Sequence, residues 1–196
     1  MIKRVFDIVL SSTGLIVLLP VFVLIGVWIK FDSTGPVFFL QKRVGRYGHL
    51  FNIIKFRTMY VQSGKGLDLT IGKDIRITVV GNFLRRYKLD ELPQLINVLN
   101  GSMSLVGPRP EVPRYITYYP CEILALVLSV RPGITDWAAI EYKDENALLA
   151  EFSDPERIYI DQVLPTKLEI YVRYVRKRNF WVDLHIIFRT ISVLIR

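Results

Sequence analysis

Between Arg85 and Pro110 the chain reads RRYKLDELPQLINVLNGSMSLVGPRP, and no other stretch carries so dense a set of side chains that could do chemistry. Adjacent carboxylates, Asp90 and Glu91, head an apolar-periodic segment. Arg85, Arg86 and Lys88 precede them, and Arg109 follows between Pro108 and Pro110. Two neighbouring carboxylates need a divalent metal or their own hydrogen bonds to be tolerated, and clustered cations suit an anionic substrate. The arrangement therefore reads as phosphate handling. A plainer reading uses the same residues: Asp90 caps a helix, Pro93 sits in its first turn, and Leu92, Leu95, Ile96 and Leu99 form a buried stripe. The two readings are compatible, because a helix N-terminus attracts phosphate through unpaired N–H groups and its dipole.

These residues need elements to position them. With 196 residues the chain is long enough for one domain with a core and short for two. Lys and Arg number 26 against 18 Asp and Glu, a formal +8, in a chain that is 51% hydrophobic. Charge and apolarity together point to a membrane surface more than to nucleic acid, for which no recognisable module is present. The lone Cys121 excludes an internal disulfide, and with only His49 and His185 there is no zinc spacing; a reducing, cytoplasm-facing setting follows. His49 is expected in a hairpin turn and His185 on an apolar helix, both structural.

Ile8 to Ile29 holds no charged residue and, as a helix, would reach roughly 33 Å, enough to cross a ~30 Å hydrocarbon core. Length favours a span. Pro20, in mid-run, and positive charge at both ends (Lys3 and Arg4 before, Lys30, Lys42, Arg43 and Arg46 after) favour two arms that kink at Pro20 and leave both ends on one face. The run is long for a cleavable signal and lacks a small-residue cleavage site.

Further on, GPVFFLQKRV and HLFNIIKFRTM predict a β-hairpin turned at GRYG, with Phe51, Ile53, Lys55 and Arg57 sharing one face. Residues 61 to 74 predict a Gly-rich loop. It is no Walker motif, since five residues separate Gly66 from Gly72 and Asp74 replaces the Ser/Thr. Thr78 to Leu89 has the pattern of an interfacial amphipathic helix or an ordinary surface helix. A helix is expected over Val112 to Val130, ended by a turn at Arg131-Pro132-Gly133. Residues 163 to 196 predict a basic, aromatic helical segment in which Arg173, Arg176, Lys177 and Arg178 adjoin Phe180, Trp181 and Phe188, suited to headgroup anchoring. The Asn100-Gly101-Ser102 sequon would go unmodified at a cytoplasmic site.

The segments KFRTM (55–59), LDELPQLINVLNGSMSLVGPRP (89–110) and RPGIT (131–135), in that order behind a Pro-broken apolar N-terminus, resemble the bacterial sugar transferases known as monotopic phosphoglycosyl transferases. The resemblance covers nearly the whole chain. It implies transfer of a sugar 1-phosphate from a UDP-sugar to undecaprenyl phosphate, with release of UMP, at the cytoplasmic face of the inner membrane, beginning a surface glycan. It implies a mainly α fold with a small β-hairpin (α+β). A re-entrant membrane helix hairpin (1–31) and amphipathic interfacial helices would surround a cytoplasmic catalytic region (32–196) within one domain. Carried onto this chain, Asp90 resembles the family's nucleophile, which forms an aspartyl-phosphosugar intermediate, and Glu91 its Mg²⁺ ligand. Arg109, with Lys55, Arg57, Arg86 and Arg131, would contact phosphates.

The chain departs from the family pattern in places. Leu19 stands where many relatives have Ser before the membrane proline, leaving Ser11, Ser12 or Thr13 as partial substitutes. Asp136, Ala138 and Ile140 in RPGITDWAAI differ from the commoner RPGITGWAQV, a region associated with sugar choice. ITVVGNFL has Val79 and Asn82 where ITRVGRFL has arginines. Longer relatives carry extra membrane helices and a further domain, so a chain starting at MIKRVFD is expected to be the minimal form. A homo-oligomer stays open. The competing expectation is a non-enzymatic peripheral protein that binds anionic lipid, which would have no use for Asp90 and Glu91 beside Arg109.

Overall fold

The computed structural model describes residues 2–61 and 74–195. Most of the expected Gly-rich loop, residues 62–73, lies outside the described residues. The chain opens with α1 (Ile2–Asp32), one 31-residue helix with Pro20 inside it. By length and composition it is long and apolar enough to cross a membrane. The two arms expected to meet at Pro20 are one element, because a proline removes a single N–H donor and leaves the neighbouring helical bonds able to form. Ser11 does not stand in for the missing serine: its hydroxyl donates to the Asp7 carbonyl at 2.6 Å, far from Pro20.

The buried residues of α1, namely Asp7, Ser11, Ile25 and Ile29, fall at helical spacing on one stripe. Near its start, Lys3 pairs with Asp183 and donates to the Val106 carbonyl at 3.0 Å, while Arg4 donates to the carbonyls of Val98 (2.6 Å) and Leu99 (3.0 Å). Asp7 accepts from Ser104 Oγ at 2.8 Å and from the Leu105 N–H at 3.2 Å. Near its end, Lys30 donates to the Gly35 carbonyl and Asp32 accepts from the Val80 N–H. Both ends are thus docked on one body, and the opposite face, including Ile16, Val17, Leu24 and Phe31, is exposed and apolar.

Strands β1 (Phe38–Val44) and β2 (Leu50–Phe56) form the expected antiparallel hairpin, in register from Phe38 opposite Phe56 to Val44 opposite Leu50. Its turn, Arg46–Gly48, places Tyr47 at φ 58° and ends at exposed His49. Helix α2 (Val79–Arg86) is capped by the Thr78 side chain, which accepts from the Gly81 N–H. Its inner residues Val80 and Leu84 pack with Ile25, Ile29 and Phe56, while Val79, Phe83 and Tyr87 face outward beside Trp28. The amphipathic pattern is therefore real.

Helix α3 (Gln94–Leu99) buries Gln94, Asn97 and Val98; Leu99, expected inside, is exposed. Strand β3 (Ser104–Val106) follows. The helix expected over Val112 to Val130 is two short ones, α4 (Pro113–Ile116) and α5 (Cys121–Val127). Pro120 separates them, having no N–H to continue the first. The expected turn at Arg131-Pro132-Gly133 leads instead into β4 (Gly133–Thr135), which pairs in parallel with β3, Ser104 opposite Gly133 and Val106 opposite Thr135. Helices α6 (Trp137–Glu141), α7 (Glu145–Ala150), α8 (Pro155–Ile158) and α9 (Leu164–Lys177) then build the largest apolar cluster with α4 and α5, around Tyr115, Leu149, Leu164 and Tyr171; a π-helical turn, Tyr159–Val163, joins α8 to α9. The last helix, α10 (Phe180–Ile195), packs Ile186 against Val106 and Tyr174 and exposes Trp181 and Phe188. His185 lies on it against Trp137, ring centroids 5.4 Å apart. The mainly helical fold with a small hairpin is as expected.

Candidate active site

Asp90 and Glu91 sit in a single 3₁₀ turn, Leu89–Glu91, between α2 and α3. Lys88, at φ 55°, reverses the chain after α2 so that the turn faces the hairpin. Asp90 does not cap a helix: α3 starts at Gln94 behind Pro93 and has no side-chain cap. Asp90 is 8% exposed and its carboxylate has no hydrogen bond to a described residue. Burial, then the charge of Glu91, pushes its pKa up, with Lys55, Arg85 and Lys88 opposing.

Glu91 is in the opposite condition. Its Oε1 accepts from Lys55 Nζ at 2.8 Å and from an Arg109 guanidinium nitrogen at 2.5 Å, and its Oε2 accepts from the other guanidinium nitrogen at 3.2 Å. Burial would raise its pKa, but Arg109 and then Lys55 outweigh it and hold the carboxyl well below the usual range. Neighbouring carboxylates are thus driven apart, one raised by burial and the other held low by its cations, the pattern of a functional acid pair.

The frame that sets this geometry is polar. Asn97 of α3 donates to the Asn52 carbonyl at 2.8 Å and accepts from the Ile54 N–H at 2.9 Å, fixing β2, and hence Lys55, to the helix behind Glu91. The Arg109 loop is held on both flanks. Gly107 N–H donates to the Thr135 carbonyl (3.1 Å) and Gly133 N–H to the Pro108 carbonyl (3.0 Å). Arg43 donates to the Pro110 carbonyl at 3.1 Å, and Val44 N–H to the Glu111 carbonyl at 2.9 Å. Tyr159 donates its hydroxyl to Glu111 at 2.7 Å.

Of the residues singled out from sequence, Asp90, Glu91, Lys55 and Arg109 come together. Arg57 is buried and donates to the Ser33 (2.7 Å) and Thr34 carbonyls, securing the link from α1 to β1. Arg86 is exposed and lies over the Tyr87 ring. Arg131 donates to the Gly101 carbonyl at 2.8 Å. Arg85, passed over for its neighbour, is the arginine of α2 whose charge acts on Asp90; it also donates to Thr58 Oγ1 at 2.9 Å. Helical phase relative to the buried Val80 and Leu84 could have separated the two.

Among the described residues no three His, Cys, Asp or Glu side chains gather as a metal cage. A carboxylate pair with no nitrogen or sulfur donor fits Mg²⁺, which binds through one or two carboxylates, waters and substrate phosphates.

Asp136 caps α6 through the Ala139 N–H at 2.9 Å, and its other oxygen is buried without a partner among the described residues. Burial raises its pKa from 3.8 to about 6, opposed by the Ala139 bond and by Arg109 and Lys167. A raised carboxyl pKa stabilises the fold fully below the unfolded value and loses that contribution as pH rises through about 6. Between pH 4 and pH 7.5 the urea stability of Asp136→Asn should therefore gain about 2 kcal/mol relative to the parent. A difference independent of pH would show that Asp136 is not buried ionised.

The sequence profile described as bacterial sugar transferase matches residues 1–196. Over 194 residues the chain is 39% identical to the UDP-glucose:undecaprenyl-phosphate glucose-1-phosphate transferase of Escherichia coli, covering 97% of this chain and 39% of that protein. It is 36% identical over 197 residues to the UDP-N-acetylgalactosamine-undecaprenyl-phosphate N-acetylgalactosaminephosphotransferase of Aeromonas hydrophila, covering 99% and 44%. It is 33% identical over 210 residues to the exopolysaccharide production protein ExoY of Rhizobium meliloti, covering 99% and 85%. The chain belongs to the bacterial sugar transferase family. It spans less than half the length of the first two of these curated relatives.

Proposed function

We propose that this chain transfers a sugar 1-phosphate from a UDP-sugar to undecaprenyl phosphate in two displacements. The observation that carries the reading is the buried Asp90 carboxylate, with no hydrogen bond to a described residue, beside a Glu91 clamped by Lys55 and Arg109. Asp90 attacks the sugar-bearing phosphorus; an Asp90–phosphorus bond forms, the phosphorus–oxygen bond to the uridine phosphate breaks, and UMP leaves with the electron pair. The lipid phosphate then attacks the same phosphorus and releases Asp90. Arg109, Lys55 and Arg85 offset charge on the phosphoryl oxygens. Glu91 would hold Mg²⁺, which when bound would supply further neutralisation of the diphosphate. The relatives' names support undecaprenyl phosphate as acceptor; they differ in the sugar.

Purified protein in detergent, incubated with a panel of UDP-sugars and undecaprenyl phosphate, should release one UMP per lipid product, stop in EDTA and recover with Mg²⁺. Stoichiometric UDP would overturn the reading.

The membrane placement proposed is monotopic, with both ends of α1 on the cytoplasmic face, supported by the Lys3–Asp183 pair at one end and the Asp32 contact at the other. In a Cys121→Ser background, Ile2→Cys and Thr34→Cys should both resist an impermeant thiol reagent applied outside intact spheroplasts. Labelling at position 2 alone would establish a span.

A further inference from the structure

Glu91, Lys55 and Arg109, which the proposed reaction needs for its ligands, are in this structure already bound to one another. Both oxygens of Glu91 are occupied, one by Lys55 and Arg109 together and the other by Arg109. Conversely, Lys55 and Arg109 point their donors at Glu91, where they cannot also meet a phosphate with the same hydrogens. Glu91 and Lys55 have side chains only 15% exposed, so water does not compensate cheaply when the contacts break. With Arg85 also acting on Asp90, cations outnumber carboxylates here. A divalent cation arriving alone would enter a site already in positive excess and would have to displace two cations from its ligand. A diphosphate arriving alone would have to pull those cations off a carboxylate that then stays buried and unpaired.

We infer that metal and diphosphate bind by ion-pair exchange: Lys55 and Arg109 pass from Glu91 to the phosphates as Glu91 passes to the metal, so that each ligand removes the obstacle to the other. The inference rests on the proposed function and adds a thermodynamic coupling to it. Such coupling is reciprocal by linkage and typically amounts to 5–150-fold in affinity. Its role would be to keep the site closed to metal alone and to UDP alone, and to assemble it when both are present.

The test measures each ligand without the other, which avoids chelation of metal by the nucleotide. Mn²⁺, as the paramagnetic stand-in for Mg²⁺, is titrated in the absence of nucleotide and followed by electron paramagnetic resonance. UDP is titrated in EDTA by calorimetry. Lys55→Met and Arg109→Gln should bind Mn²⁺ about fivefold or more tightly than the parent chain, although both have lost groups needed for turnover. Glu91→Gln should bind metal-free UDP about fivefold or more tightly, although it has lost the metal ligand. Lys55→Arg, which keeps the cation, should stay near the parent value. Circular dichroism melts verify that each variant is folded, and the two arms use different substitutions, so loss of one variant leaves the other arm decisive.

If neither cation variant gains Mn²⁺ affinity and Glu91→Gln gains no UDP affinity, the exchange is refuted while the proposed function stands. If Glu91→Gln keeps the parent Mn²⁺ affinity, Glu91 is not the metal ligand, and that part of the functional reading falls together with the inference.

Discussion

Replacing Asp90 by Asn should lower turnover by more than about a thousandfold while leaving the protein folded and no less stable at neutral pH. An amide of the same shape cannot attack phosphorus, so both UMP release and any trapped phosphosugar adduct should vanish. Stability should not suffer, since Asp90 is buried, has no hydrogen bond to a described residue, and has its pKa raised by burial and by Glu91. That contribution is complete below the unfolded pKa and is lost as pH rises through the folded one, so at neutral pH the carboxylate is a cost to the fold. The same displacement predicts that kcat/KM of the parent chain falls on acidification with a midpoint above the ordinary carboxylate range. Lys55→Met should move that midpoint higher, because Lys55 is one of the cations opposing the rise. If Asp90→Asn retains a tenth of the parent rate, the nucleophile lies elsewhere.

The pairing at the centre of this site was legible in sequence because its parts are close along the chain or carry distinctive neighbours. Asp90 and Glu91 are adjacent, and Arg109 is bracketed by prolines. Lys55 was found through strand alternation, which puts it opposite Phe39 at the hairpin's inner end. Alternation fails two residues later: Arg57 lies past the end of β2, where the face rule no longer applies, and its guanidinium turns to the Ser33 and Thr34 carbonyls. Arg85 and Arg86 differ in helical phase, which the apolar Val80 and Leu84 of α2 set once they pack against α1, so the spacing along this helix distinguishes them. Capping by Asp90 was a sound local reading overtaken by the 3₁₀ turn and Pro93, which moved the helix start to Gln94. Hidden most completely was the β3–β4 pair, two three-residue strands 27 residues apart whose sequences, SLV and GIT, are too short for any periodicity.

That pair is where a single methyl group should do the most structural damage. A Cβ added to Gly133 would lie 2.1 Å from the Gly107 nitrogen, 2.5 Å from its carbonyl oxygen and 2.7 Å from the Val106 carbonyl carbon. All three are backbone atoms, which cannot rotate aside as a side chain would. The strands must separate, and with them go the Gly133–Pro108, Gly107–Thr135 and Ser104–Pro132 bonds that anchor the loop presenting Arg109. Gly133→Ala should therefore cost at least about 3 kcal/mol, the upper part of the range for overpacking. Any fraction that still folds should have lost the Arg109 fork on Glu91, and turnover with it. Gly48→Ala is the matched control: its φ of +80° strains an alanine, but nothing lies within 4 Å of the added carbon, so about 1 kcal/mol and full turnover are expected. Urea unfolding of the two variants beside the parent decides the matter. Were Gly133→Ala to melt within 1 kcal/mol of the parent, the close approach of β3 to β4 could not be what holds Arg109 against the carboxylate pair.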